Sequence, residues 1–374
     1  MKKFLIIDPF IHFTEHTLVD RALIEYFSLH DSMILVNKTM KCECDDLQCN
    51  FIKPFHDFKT KIKLVRLCNR EIIKTLYTLF FIFLNLFQRR RIVFLALSQF
   101  QWFFFSIICT LCRFQTSIVM HHYAEAMIKD KKKLTIGDRM FLLGKKIFTR
   151  SKHNTFLYLS KHIKENLLKA NVAVTSQDFF INHPIPLSFI NRVPFIKPSN
   201  KKHVLATIGL LSKKMKSSDK INDLKTSNNI ELWMIGRLAS TNEFKINDNI
   251  KTKLWSGMYS THEFEDAIKK VDSFLYFFTP EQYQCTASGT LIDAILYCKG
   301  VVCLNNDAAV SLLENYDDKI IFNSIDEMSD YLRENKRLSN GNNTDTRMKY
   351  CLLSECCGDI SIVNRWASVN RIDC

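Results

Sequence analysis

At 374 residues the chain is too long for one ordinary domain and comfortable for two. Its 47% hydrophobic and 24% charged residues make a globular balance, and its net charge of +14 calls for an anionic partner: phosphate-rich substrates, acidic lipid head groups or nucleic acid. Thirteen scattered cysteines, an odd number, exclude a disulfide framework and suit small buried thiols in a reduced, cytoplasmic setting. The apolar run that opens at Phe4 stops at Asp8, so no secretory leader is expected.

Short apolar strands alternate with helical stretches through the N-terminal half. Lys3–Ile7, Met33–Val36, Arg91–Leu97, Ser117–Met120 and Thr155–Leu159 read as strands, and Thr17–Phe27 as an amphipathic helix. Such alternation predicts a largely parallel sheet with helices on both faces. Two apolar blocks, Ile72–Phe87 and Ile92–Cys112, flank Gln88-Arg89-Arg90-Arg91. They read as core helices around a core strand, with a membrane anchor over 72–112 as the alternative. Prolines at alternate positions in Asn182-His183-Pro184-Ile185-Pro186 forbid helix and mark an interdomain junction.

The second half continues with strands His203–Ile208 and Glu231–Ile235, each running into a glycine, Gly209 and Gly236. Ser260–Glu263 is a capping box that opens a helix through Phe264, Ala267, Ile268 and Val271. Ser273–Phe278 is apolar without alternation, as inside a parallel sheet. A helix over Ser288–Cys298, a strand over Val301–Leu304, a second capping box at Ser324–Glu327 and a terminal helix over Ile360–Val369 complete the series. The expected organisation is an N-terminal domain over 1–186, a C-terminal domain over 187–355, and a terminal helix over 356–374 that crosses back to the first.

The turn from the Phe277-Phe278 strand into Ser288-Gly289-Thr290 has the chemistry of an anion site. A helix N-terminus offers unpaired amides and a positive dipole end, Gly289 allows close approach, and Ser288 and Thr290 add hydroxyls. Asp293, one turn on, is placed to accept from a ribose hydroxyl. Taken alone, Ser288 reads first as a plain helix cap.

The ordered set His203–Gly209 with Lys213 and Lys214, Glu231–Arg237, Trp255–Tyr259 with Ser260–Glu263, and then Ser288-Gly289-Thr290 resembles the donor half of GT-B glycosyltransferases. The likeness is to the family 4, or group 1, type of bacterial surface-polysaccharide clusters, and it covers roughly residues 203–315. It implies an α/β GT-B fold: two Rossmann-like domains whose parallel sheets face a central cleft. It further implies a nucleotide-sugar donor held by Gly209, Lys213, Lys214, Gly236, Met258, Tyr259, Ser288, Gly289, Thr290 and Asp293. The reaction would move a hexose to a lipid-linked saccharide acceptor. No cofactor or metal would be required, because lysine and helix dipole carry the diphosphate charge. The family's paired glutamates eight positions apart are not matched, with Cys285 at the first position and Asp293 at the second.

In the N-terminal half His121 and His122 end a strand and become candidates for contact with the donor sugar or for proton transfer, although an ordinary surface loop accounts for them too. His12, Glu15 and His16 follow the first strand as candidates for acceptor binding or the general base. Basic runs at Arg89–Arg91, Lys129–Lys133 and Lys145–Lys152 suit an anionic membrane surface, at about 1 kcal/mol per charge. A peripheral enzyme at the inner face of the cytoplasmic membrane is the resulting expectation. The aromatics sit apart from the basic runs, so a nucleic-acid partner is not expected. Walker and Gly-x-Gly-x-x-Gly loops are absent, which disfavours a nucleotide hydrolase or dehydrogenase.

Overall fold

A computed structural model gives the fold and describes residues 3–9, 17–55, 62–88, 90–121, 123–190, 202–240, 243–257, 259–334, 345–355 and 357–369. The chain divides into two compact units. The first comprises Met1–Leu187, Cys285–Ala287 and Tyr350–Cys374, and the second comprises Ser188–Gln284 and Ser288–Lys349.

The first unit is built on a seven-stranded sheet of order β3-β2-β1-β4-β5-β6-β7. Its strands are β1 (Lys3–Ile7), β2 (Asp31–Leu35), β3 (Asn50–Phe51), β4 (Arg91–Phe94), β5 (Thr116–Met120), β6 (Asn154–Tyr158) and β7 (Asp178–Phe180). Every pairing is parallel. Strands β4, β5 and β6 are buried along their whole length, which is why they show no alternation of apolar and polar residues. Alternate side chains feed two cores, one around Trp102, Phe105, Phe141 and Phe156, the other around Phe27, Leu157 and Trp366.

The 72–112 segment is part of this sheet. After a π-helical turn at Asn69–Ile73 it forms a helix over Lys74–Gln88, then β4, then a helix over Gln99–Leu111. Strand β4 hydrogen-bonds to β1 on one edge and β5 on the other, a position that no half of a transmembrane hairpin takes. Among the described residues no helix is long and apolar enough to cross a membrane. Of the arginines after the first apolar block, Arg89 lies outside the described residues, and Arg90 and Arg91 are engaged within the unit. Arg90 pairs with Asp31 at 3.0 Å, and buried Arg91 donates to the carbonyls of Ala367 and Val369 at the end of the Ile360–Ser368 helix. That placement suits the negative end of a helix dipole, and it removes both residues from a solvated basic patch.

The second unit is a six-stranded parallel sheet of order β10-β9-β8-β11-β12-β13. Here β8 is His203–Leu211, β9 Ile230–Leu238, β10 Lys251–Leu254, β11 Ser273–Tyr276, β12 Gly300–Leu304 and β13 Lys319–Phe322. The capping box at Ser260 and Glu263 forms in both directions. At Ser324 only half of one does: its hydroxyl accepts from the Glu327 amide, while the Glu327 carboxylate accepts from the Asn323 amide. In each sheet the strand order reverses once, between β1 and β4 and between β8 and β11. Loops leaving adjacent strands part at such a point and leave a crevice at their carboxyl ends.

Candidate functional site

The crevice in the second unit is made by the segment after β8 and the loop after β11. Strand β8 runs to Leu211, and Ser212 then caps a short helix over Lys213–Lys216 by accepting from the Met215 amide. Ser217 turns left-handed at φ 50° and ends that helix. Gln282, in the loop after β11, fixes the segment from the other side: its Nε2 donates to the Lys214 carbonyl at 3.0 Å and its Oε1 accepts from the Thr279 amide at 3.0 Å. Asn306 donates to the Thr279 and Gln282 carbonyls, so the loop is tied at both ends.

This bracing selects one lysine. Lys216 Nζ lies 3.3 Å from Thr290 Oγ1 in the first turn of the Gly289–Leu296 helix. Lys213 pairs with Asp219 on an exposed stem, and Lys214 is exposed. Lys216, which the sequence did not single out, is therefore the cation that faces this helix end. Burial pushes its pKa down from 10.5 to about 8, with Asp293 pulling it back up. Burial also drives Asp293 from 3.8 up to about 7, against the pull of Lys216. The two carry opposite charges that act on each other, and burial brings the titration of each toward the physiological range.

Two glycines make room for the arrangement. A Cβ at Gly236, whose φ is 146°, would stand 1.9 Å from the Gly209 carbonyl oxygen. At Gly209, with φ 83°, it would stand 2.8 Å from Thr290 Cγ2 and 3.5 Å from Lys216 Nζ. The backbone of β8 thus passes directly against the helix start. At Gly289, by contrast, a Cβ would meet nothing within 4 Å. Ser288 occupies the cap position, but its hydroxyl makes no capping bond and instead lies 3.2 Å from Thr290 Oγ1. Ser288 thus caps with its carbonyl, which accepts from the Leu291 amide at 3.1 Å, and its side chain leaves the Gly289 and Thr290 amides uncapped. Tyr276 Oη donates to the Thr290 carbonyl beneath.

Beside the pair stands an aromatic shelf. Tyr259 packs on Trp255 with ring centroids 4.4 Å apart and stacks on Phe264 at 5.7 Å. Burial raises the Tyr259 phenol to about 12, and Asp293 adds to the rise. The second unit therefore brings Gly209, Gly236, Tyr259, Ser288, Thr290 and Asp293 together around Lys216. Met258 lies outside the described residues.

In the first unit the residues described at the corresponding point are acidic and buried. Asp8 at the end of β1 and Asp20 in the Thr17–Ser28 helix are fully buried. Burial, and after it the neighbouring Asp8, holds the Asp20 carboxyl well above the usual range. Buried His121 donates from Nε2 to the Leu95 carbonyl at 2.9 Å, with Asp20 3.8 Å from the same nitrogen. The polar end of that ring is thus turned into the fold. His12, Glu15, His16 and His122 lie outside the described residues. Cys285 cannot substitute for a carboxylate: it is buried, its thiol is raised to about 12, and its amide donates to Glu125 at 2.8 Å. Among the described residues no three His, Cys, Asp or Glu side chains form a group able to hold a metal ion.

No protein-family model matches the chain, and no curated protein matches it. Solved structures match along nearly the full length. Anabaena Alr3699/HepE in complex with UDP-glucose is similar at 9% identity and TM-score 0.61, over 98% of each chain. A glycosyltransferase from Rickettsia africae ESF-5 is similar at 11% identity and TM-score 0.55, over 99% of each chain. Arabidopsis thaliana UGT89C1 complexed with quercetin follows at 11% identity and TM-score 0.51, over 98% of each chain. At these identities the likeness is one of fold: two parallel α/β sheets, of seven and six strands, in the GT-B architecture.

Proposed function

We propose that the chain is a glycosyltransferase that moves a hexose from a nucleoside-diphosphate sugar to a lipid-linked saccharide, in the building of a bacterial surface polysaccharide. One observation carries the reading: Lys216, Thr290 and the start of the Gly289–Leu296 helix, which has no side-chain cap, converge where the β8 backbone is bare at Gly209. A diphosphate fits that chemistry. The amides and hydroxyls would donate to its oxygens, and Lys216 would neutralise the charge that grows as the group leaves. Asp293 is one turn from the phosphate end and would accept from the ribose, while the Tyr259 shelf would meet the base. The acceptor hydroxyl oxygen attacks the anomeric carbon, and the bond from that carbon to the diphosphate breaks. Its electron pair leaves with the nucleoside diphosphate, and the hydroxyl proton passes to a base of the first unit. No metal is needed on this reading, since lysine and helix dipole supply the positive charge.

The neighbours support it: the Anabaena protein was solved with UDP-glucose and the Arabidopsis one with quercetin. The second unit is assigned the donor and the first the acceptor, with the enzyme working peripherally at the inner face of the cytoplasmic membrane and without a nucleic-acid partner. Titration calorimetry with UDP, GDP and ADP tests the reading. One nucleotide binds, and Ser288→Trp, which fills the turn, abolishes that binding. Failure of all three to bind would overturn it.

A further inference from the structure

The Lys74–Gln88 helix of the first unit is built inside out. Its buried face carries Lys74, Thr75, Thr78 and Asn85 beside Ile82. Its outer face carries Leu76, Phe80, Phe83 and Leu84, between 44% and 60% exposed, continuing the exposed Ile72 and Ile73 of the turn before it. The spacing, three to four residues at each step, lays these side chains in one stripe along three turns. No charged residue follows Lys74 in the helix. A water-facing helix has the reverse arrangement, so this outer face is suited to an apolar neighbour.

A cavity of about 520 Å³ in the same unit, within the usual range of ligand sites, is lined by Arg70 and Glu71 of the turn from which the helix starts. Its floor is polar: Arg70, Glu71, Ser98 and Asp138. Glu71 accepts from Arg70 and from the Ser98 hydroxyl, and Asp138 accepts from Lys129 at 3.2 Å and closes a capping box with Thr135. Fixed carboxylates and a guanidinium suit a ligand rich in hydroxyls. The rim is apolar. Leu67 and Phe100 line the cavity and are also exposed. Opposite them Met140 lines the cavity between exposed Ile136 and Leu143 on one helix face. Exposed Lys131, Lys132, Lys133 and Arg139 surround that side.

We propose that this cavity takes the polar head of an amphiphilic acceptor whose hydrocarbon lies in an anionic bilayer, against which the helix stripe rests. The proposal deepens the transferase reading and depends on it for the acceptor's role. Apolar stripe and basic rim together match a leaflet of acidic lipids. A second copy of the chain fits less well, because a two-fold contact sets the lysine cluster against itself.

Flotation of the full chain with phosphatidylglycerol vesicles, and with phosphatidylcholine vesicles for comparison, tests the face. The chain is expected to float with the anionic vesicles. The double variant Phe80→Ser, Phe83→Ser is expected to lower partitioning by about 100-fold, near tenfold per side chain withdrawn. No flotation, flotation indifferent to the double variant, or a dimer that the variant dissolves would each overturn the proposal. For the cavity the probe is dodecyl maltoside below its micellar concentration, against free maltose. The detergent is expected to bind more tightly than the sugar, and Met140→Trp to abolish its binding while vesicle flotation persists. Equal binding by that variant would refute the head-group site. UDP binding in the same samples separates the two ideas. If UDP does not bind while flotation and detergent binding hold, the transferase reading fails and the amphiphile site stands.

Discussion

The Lys74–Gln88 helix of the first unit and the Gly289–Leu296 helix of the second are both rich in apolar residues, yet they serve opposite ends. The second buries Leu291, Ile292, Ala294, Ile295 and Leu296 and presents its backbone, through an N-terminus that the Ser288 side chain does not cap. The first buries threonines and an asparagine and presents its side chains. One helix end is prepared for charge and the other helix face for hydrocarbon. The units differ likewise in where they keep ionisable groups. The second holds Lys216 and Asp293 as opposite charges beside a bare backbone, whereas the first buries Asp8 and Asp20 together, with the Asp20 carboxyl held well above the usual range. A polar group left ready for a ligand, more than apolar content, separates the two roles.

The largest effect should come from the glycine pair under the anion turn. Gly236→Ala puts a methyl carbon into the Gly209 carbonyl, a backbone atom that cannot swing aside. A loss of about 3 kcal/mol or more in chemical denaturation is expected, with nucleotide binding gone in whatever remains folded. Gly289→Ala, in open space, should cost well under about 1 kcal/mol. Equal costs at the two positions would mean the close approach of β8 and β9 is not what shapes the turn.

Next in size is the choice of lysine. Lys216→Ala should weaken nucleotide binding by about 30-fold, roughly 2 kcal/mol for a charge-assisted contact. Lys213→Ala and Lys214→Ala, on exposed stems, should each stay within about twofold. Calorimetry on the three variants checks this.

The same pair predicts opposite responses of affinity and stability to pH. Lys216, held at about 8, is charged below that value, so a diphosphate binds at full strength there. Above it, binding must take up a proton, and affinity falls by up to about tenfold per pH unit. Without ligand, the unfolded chain keeps the lysine proton up to 10.5, so between about 8 and 10.5 this group makes the fold more stable as pH rises. Asp293 acts in the lower window: folded, it keeps a proton from 3.8 up to about 7 that the unfolded chain has lost. Its contribution to stability therefore falls across that range as pH rises, and Asp293→Asn should flatten the slope. Denaturation and calorimetry over pH 5–10 decide the matter, with Lys216→Met as reference.

Much of the second unit was legible because its strands and turn chemistry agree. The run Ser273–Phe278 announced β11, whose assigned residues are Ser273–Tyr276, and the Ser260–Glu263 box announced the helix after it. Strand β10 was not legible: Lys251, Thr252, Lys253 and Leu254 are all exposed and carry no apolar period, and pairing with β9 alone makes them a strand. The identity of the anion-facing lysine was hidden for a different reason. Three lysines share four positions, and the one turned inward is set by the Ser212 cap and by Gln282, 65 or more residues along the chain. In the first unit the apolar content of 72–112 was plain, but hydropathy does not reveal which side of a helix faces out. Thr75, Thr78 and Asn85 resemble solvent-facing residues until β4 and the Gln99–Leu111 helix are in place.

That inverted helix yields the smallest effects, and they bear directly on the comparison. Thr78 is fully buried and its hydroxyl has no hydrogen-bond partner, while Phe80, two residues on, is 56% exposed. In an ordinary amphipathic helix, introducing an apolar residue on the outer face costs little and removing one from the inner face costs much. Here Thr78→Val keeps the side-chain shape and removes an unpaired buried hydroxyl, so it should raise stability by about 0.5–1 kcal/mol. Phe80→Ser should leave stability in vesicle-free buffer within about 0.5 kcal/mol, because little of the ring is buried by the protein itself. Urea unfolding of the two variants measures both. A large loss at Phe80 would show that the ring is a structural member of the first unit and would remove the reason to regard that face as waiting for a bilayer.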